Sequence, residues 1–291
     1  MSTEAARRAP ADGLLARLAA GNALPIFVVV LFILAIWYVA AFFMNEQLQR
    51  DSFANAGQDY TTASLIEGTM SQERPRLPAP HQIVEEFNKT VFGMPVASKR
   101  SLVYHGMVTL EATLIGFITG SLLGMLLAVM IVHAASLERS LMPWIIASQT
   151  VPIIALAPMI VVIMNQFDVT GIVPKATISA YLSFFPVTVG MVKGLRSPDP
   201  LQLDLMRTYS ASRLQTFFKL RAPASVPFLF ASLKVAVAAS LVGARLLAGS
   251  YYGQTVQIWA ALFAAAFCAA MLVMVVGLID RAVSKRMGYA R

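Results

Sequence analysis

Apolar residues in this chain fall into long blocks separated by polar stretches. A helix needs about 20 apolar residues to cross the hydrocarbon core of a bilayer. Six blocks approach or exceed that length: 24–44, 106–132, 140–164, 175–193, 226–248 and 256–280. Each predicts a membrane-spanning helix. The first is uniformly apolar. The second carries Glu111 in its first third and strengthens after Ile115. The third holds Pro143, Pro152 and Pro158, so it is either one kinked span or a helix followed by a broken segment. Proline frees backbone carbonyls, which a membrane tolerates only where they face protein or a wet cavity.

Between the first two blocks the stretch 45–80 is polar and reads as a loop. RLPAPHQIVEEF then predicts a Pro-rich extended entry into a short amphipathic helix, about 81–92, with Ile83, Val84, Phe87 and Val91 at helical spacing. Such a helix suits the membrane surface.

Composition agrees with the blocks. Of 291 residues, 57% are hydrophobic and 13% charged, and mean hydropathy is +0.67. Soluble domains carry about 25% charged residues. The net charge of +8 would raise nucleic acid as a ligand in a soluble protein. Here the basic residues cluster at block ends, which reports topology instead, and no nucleic-acid partner is expected. The single cysteine, Cys268, excludes an internal disulfide framework, and His81, His105 and His133 are scattered, so no metal site is expected. Arg7-Arg8 before an apolar block resembles a secretion signal, but 24–44 is longer than an h-region of roughly 7–15 residues. A retained first span is expected.

Orientation follows from the short connections. With the N-terminus inside, the inside pieces hold Arg7, Arg8, Arg17, Arg139, Lys193, Arg196, Arg207, Arg213, Lys219, Arg221 and the basic tail. That bias places both termini in the cytoplasm. The expected division is 1–23 cytoplasmic, 24–44 first span, 45–105 an outer loop with its amphipathic helix, 106–280 a helical core containing a cytoplasmic segment 194–223, and 281–291 a cytoplasmic tail.

The segment between the fourth and fifth blocks is too long for a turn. Ser197-Pro198-Asp199 reads as a helix start. Ser210-Ala211-Ser212 interrupts, and Ser212 with Gln215 fits a capping box. A second short helix carries Leu214, Phe217 and Phe218, and Pro223 is expected to stop it. Helices this short need a packing partner. Residues alone leave two partners open: the chain's own spans, or another subunit.

The stretch Asp204–Pro227, DLMRTYSASRLQTFFKLRAPASVP, resembles the EAA loop of importer-type ABC transporter permeases. Asp204 falls on the family's Glu, Leu205 and Met206 on its alanines, Ser210 on its glycine, and Ala222-Pro223 on its Leu-Pro. LPAPHQIVEEF, GFITGSLLGMLLAVMI and QTVPIIALAPMIVV are similar to the flanking family segments, and together point to the branch importing nitrate, sulfonates, taurine and pyrimidine-type precursors. After Ser240, SLVGARLLAGSYYGQ is shorter than the family pattern. The resemblance implies an all-α polytopic membrane protein with about six transmembrane helices and a cytoplasmic helix-turn-helix coupling loop. It implies an inner-membrane permease subunit with no cofactor of its own. ATP and magnesium would be held by a separate cytoplasmic ATPase subunit, and the sequence itself lacks G-x-x-x-x-G-K-[ST]. Further implied partners are a second permease copy or paralogue, a periplasmic solute-binding protein and the bilayer. The residues expected to dock the ATPase are Asp204, Leu205, Met206, Arg207, Ser210, Ala211, Arg213, Phe217 and Pro223.

Other marked residues have two readings each. Gly116, Gly120 and Gly124 form GxxxGxxxG, the spacing of close helix contact, within the chain or across a dimer. Gln149, Thr150, Pro152, Pro158 and Lys234 are translocation-path candidates, with a packed kink and a snorkelling or paired lysine as the structural alternatives. Glu111 is a weaker path candidate, and Arg245 lies near an outer end. Tyr251, Tyr252 and Trp259 suit an interfacial belt. The rival functions are a non-ABC secondary transporter, which would call for membrane carboxylates or repeated broken helices, and a non-transporting assembly protein.

Overall fold

The computed structural model describes residues 23–98, 101–246 and 255–288. Tyr251, Tyr252, the N-terminal basic residues and most of the short stretch after Ser240 lie outside them, as does the side chain of Arg245. The described residues are helical throughout apart from connections, and the chain divides into two compact units.

The first unit contains α1 (Ala23–Asn55) and α2 (Thr62–Met70). The apolar block ends at Met44, but the helix runs eleven residues further. Pairs four apart sustain it: Arg50 Nη2 reaches Glu46 Oε1 at 2.5 Å, and Gln47 donates to Asp51 at 2.9 Å. A reciprocal capping box between Thr61 and Ser64 starts α2. The extended piece 72–79 is strapped to α1 by Asn45, which is 2% exposed. Its Nδ2 donates to Leu77 O at 2.7 Å, and its Oδ1 accepts from the Arg76 and Leu77 amides at 2.7 and 3.2 Å. Trp37 Nε1 donates to Pro78 O at 3.1 Å. The expected loop 45–80 is therefore a helix extension, a second helix and a strap. Composition reads polarity, and polar residues hold helices well when they pair along one face.

The amphipathic helix is α3 (Pro80–Val91), close to its expected bounds. Ile83 is buried, whereas Val84 is exposed.

The second unit is built on α4 (Leu102–His133), α7 (Ile172–Leu195) and α10 (Ala222–Leu246). Small residues set how closely they approach. A Cβ on Gly116, Gly120 or Gly124 of α4 would come within 2.2, 2.4 or 2.6 Å of α7 backbone oxygens at Ala176, Ala180 and Phe184. The glycine repeat is thus an intrachain seam. On its other side α7 meets α10 at Gly190 and Gly194, where a Cβ would strike Ser232 and Ser225. Three buried hydroxyls of α7 are satisfied within this seam: Ser179 donates to Ser240 O at 2.9 Å, Ser183 to Ser179 O at 2.7 Å and Thr188 to Phe184 O at 2.7 Å. Ala128, Ile131, Ile145, Val187, Met191, Val192, Leu195 and Ala236 form an apolar core near one end.

The third block is not one span. It is α5 (Ala135–Ser148) and α6 (Ile153–Gln166), broken at Gln149–Pro152. Pro152 cannot donate into a continuing ladder, and Tyr181 of α7 caps the break by donating to Ser148 O. Five described helices are long and apolar enough to cross a membrane: α1, α4, α7, the run ending in α10, and α11 (Thr255–Arg286).

Candidate functional site: a two-helix segment at one end of the bundle

Asp199, not Ser197, starts the segment. Its carboxylate accepts from the Leu201 amide at 2.8 Å, while Gln202 Oε1 accepts the Asp199 amide at 3.2 Å, and Pro200 takes the first helical position of α8 (Pro200–Thr208). Ser197 instead donates to Gly194 O at 2.8 Å, closing α7. The cap shifts by two residues because Pro200, not Pro198, stands at the point where the chain re-enters helix.

The turn forms at Ser210. Its φ is +49°, left-handed, the region that favours glycine. The Ser210 amide donates to Arg207 O at 2.8 Å and the Ala211 amide to Met206 O at 3.0 Å. These two bonds are the Schellman closure of a helix end. Serine therefore adopts the geometry glycine would, at a cost of about 1–2 kcal/mol. Ser210→Gly is expected to raise thermal stability and leave the fold unchanged. Ser210→Val, β-branched at positive φ, is expected to lower it. Equal melting temperatures for the two variants would contradict this reading.

Ser212 and Gln215 form the expected capping box at 3.2 and 2.8 Å, and α9 (Arg213–Thr216) begins there. Pro223 does not stop the helix. The ladder widens into a π turn over Phe217–Arg221, with the Ala222 amide donating to Phe217 O, and then continues as α10. A π turn absorbs the donor that proline lacks, so α9 and the next span are one continuous rod.

This changes which side chains stand outward. Phe217 turns inward, against the apolar core and against His133 at 5.4 Å. Phe218 is 66% exposed. On α8, Leu201, Leu205 and Tyr209 are 77%, 55% and 76% exposed, and Leu214 on α9 is 70% exposed. Leu201, Tyr209, Leu214 and Phe218 were not among the residues expected from sequence to dock a partner; the signal on α8 was the four-residue spacing of 201, 205 and 209. Asp204 is exposed and pairs with Arg207 at 3.0 Å, and Met206 is half-buried. Arg207, Ala211 and Arg213 line a cleft of about 450 Å³ on the inner side of the segment, together with Val132, His133, Leu203, Thr216 and Arg221.

The segment is also tied to the bundle beneath it. Arg196, which caps α7, donates from both terminal nitrogens to the two carboxylate oxygens of Glu138 at 2.7 Å. The Arg196 hydrogen bonds hold the Glu138 carboxyl below its usual range, and Glu138 raises the guanidinium in turn. Arg221 donates to Leu195 O at 3.2 Å.

The path candidates do not gather at one point. Gln149, Thr150 and Pro152 are exposed at the α5–α6 break, and Pro158 is exposed within α6. Glu111 is exposed on α4. Lys234 lies on α10 and donates to Asp280 of α11 at 2.6 Å, and Ser284 donates to the other Asp280 oxygen at 3.2 Å. Asp280 was missed as a partner because it ends its apolar block, where an acid reads as interfacial.

Among the described residues, five helices of membrane length with a capped two-helix segment at one end define a polytopic membrane protein. Residues 120–289 match the model of the binding-protein-dependent transport system inner membrane component, and the chain belongs to that family. It is similar to a probable ABC transporter permease protein of Haemophilus influenzae, 29% identical over 58% of this chain and 69% of that protein. It is also similar to the formylaminopyrimidine transport permease protein ThiX of Halalkalibacterium halodurans, 32% identical over 58% and 63%. A riboflavin transport system permease protein, RibX of Chloroflexus aurantiacus, is 27% identical over 58% and 59%. The chain thus spans less than two thirds of the length of the latter two.

Proposed function

We propose that this chain is the membrane-spanning permease subunit of an ATP-driven importer for a small polar nutrient. The observation that carries the reading is the 200–221 segment. It has capped helices, a fixed turn at Ser210, and five exposed apolar side chains at its tip. Exposed apolar groups this closely grouped serve a partner rather than the chain's own core. In this reading the segment lies in the cytoplasm, with both termini, and docks a separate ATPase subunit that binds ATP and magnesium. Leu201, Leu205, Tyr209, Leu214 and Phe218 make the contact, with Asp204 and Met206 flanking and Ser210 setting the angle between the two helices. Because the π turn joins α9 to α10 as one rod, movement of the ATPase passes to the spans as rigid-body motion.

A second permease copy or paralogue completes the pathway, and a periplasmic binding protein delivers substrate. Family membership supports both partners. Relatives named for formylaminopyrimidine and riboflavin transport favour a nitrogen-containing ring compound as substrate. Gln149, Thr150, Pro152 and Pro158 border the break in the third block and are the pathway candidates in this reading.

The test is co-purification with a co-expressed Walker-type ABC ATPase subunit. Truncating a central aromatic contact costs about 2 kcal/mol, roughly thirtyfold in affinity. Tyr209→Ala and Leu205→Asp should release the ATPase while the permease still elutes as a folded species. Full retention of the ATPase by both variants would remove the docking assignment.

A further inference from the structure

The two-helix segment has two faces of opposite character. Residues two apart on a helix point to nearly opposite sides. On α8, Leu201, Leu205 and Tyr209 are exposed, Leu203 is half-buried, and Arg207, though exposed, borders the cleft beneath the segment. On α9 and the π turn, Leu214 and Phe218 are exposed, and Arg213, also exposed, borders the same cleft with the half-buried Thr216 and Arg221. The cleft between the segment and the end of α4 is lined by Val132, His133, Leu203, Arg207, Ala211, Arg213, Thr216 and Arg221.

Its charge is one-sided. Three guanidiniums and an imidazole converge from α4, α8, α9 and the π turn, and no carboxylate among the described residues lines it. Asp204 offsets Arg207 from the rim at 3.0 Å. Arg213 has no hydrogen-bond or ion-pair partner among the described residues. Arg221 is oriented by its bond to Leu195 O. His133 is fixed by Nδ1 on Val129 O at 2.8 Å and by Phe217, so Nε2 is not used in the bond to its own helix. Cations brought together without counter-charge call for an anion, and planar guanidiniums favour phosphate oxygens.

The cleft's height selects among phosphates. Val132 and His133 are the last residues of a membrane-length helix, and Thr216 and Arg221 lie just before the apolar run of α10. The cations therefore sit where helices leave hydrocarbon, at headgroup level, with Val132 and Leu203 as apolar neighbours. A soluble partner meets the outward apolar face first. We propose that this cleft holds the phosphate of an anionic phospholipid headgroup from the adjoining leaflet. The lipid would fill the space behind the segment and brace it while its outer face carries a partner. The inference rests on the membrane placement but not on the ATPase docking.

Native mass spectrometry of the full chain, titrated with phosphatidylglycerol or phosphatidylcholine, tests it. A surface cation contributes roughly a fivefold preference for anionic lipid. Wild type should bind phosphatidylglycerol at least about fivefold more tightly than phosphatidylcholine. Arg213→Gln should erase about fivefold of that, and Arg213→Lys should keep most of it. Arg213 is exposed and has no partner among the described residues, so folding is not at stake. Equal binding of the two lipids, or an unchanged preference in Arg213→Gln, overturns the proposal. So does complete displacement of the lipid by millimolar inorganic phosphate, which would mark a site for the free anion. If Arg213→Gln releases the ATPase but keeps the lipid preference, the cleft belongs to the protein partner and the lipid assignment fails. Leu205→Asp separates the two readings: it should release the ATPase and leave lipid binding intact.

Discussion

Replacing Gly120 by alanine is expected to destabilise the protein severely, while the same change at Gly106, on the same helix, is harmless. A Cβ on Gly120 would lie 2.4 Å from Ala180 O, 2.8 Å from its Cα and 3.0 Å from its carbonyl carbon. All three are backbone atoms of α7, so no rotamer change relieves the clash. The helices must separate by about 1 Å to restore ordinary contact distances. That separation also loosens the neighbouring contacts at Gly116 and Gly124. Overpacking in a close-packed interior costs about 1–3 kcal/mol, and a seam of backbone contacts sits at the upper end. At Gly106 a Cβ would meet nothing within 4 Å, and alanine there should gain about 0.5–1 kcal/mol from helix propensity. Size-exclusion profiles after stepwise heating in detergent would separate the two variants. Matching profiles would mean that the α4–α7 seam yields more readily than its geometry implies.

The second large effect is at Lys234. Its ammonium is 2.6 Å from Asp280, and the two side chains are 35% and 22% exposed. The pair joins α10 to α11 and is partly buried. Removing one partner leaves the other charge without its hydrogen-bonded counter-ion, at a cost of about 1.5–3 kcal/mol. Lys234→Met and Asp280→Asn should each reduce the yield of folded protein. The double variant Lys234→Met/Asp280→Asn removes both charges and should recover much of the loss. A double variant as unstable as the sum of the singles would show that each residue acts through something other than the pair. The same experiment bears on the translocation path. A lysine engaged by its own carboxylate is a fastening point first, and a pathway role would have to survive in the double variant.

Much of the architecture was open to reading from the pattern of apolar residues. Five of the six blocks became membrane-length helices, because a bilayer leaves backbone groups no partner but the helix ladder. The capping box at Ser212–Gln215 was legible because it is local, made by two residues three apart. The strap 72–79 was not, since Asn45 reaches it from a helix some thirty residues earlier in the chain. Pro223 misled for a related reason. Its missing donor is a local fact, but whether the helix ends or widens depends on what holds the next turn in place. Phe217 and Phe218 exchanged roles because the π turn shifts helical phase, and a 3.6-residue pattern cannot foresee that.

The sequence by itself determined the class: an all-helical membrane chain, the position of the two-helix segment between its spans, and the family resemblance of that segment. Those follow from periodicity, length and caps, which are properties of neighbouring residues. Only the tertiary structure decided which faces meet. It turned the GxxxGxxxG repeat onto α7, joined Lys234 to Asp280 across forty-six positions, and gathered His133, Arg207, Arg213 and Arg221 around one cleft. The physical reason is that such contacts depend on how helices cross and rotate, and that is fixed by small residues and buried polar pairs acting together across the bundle.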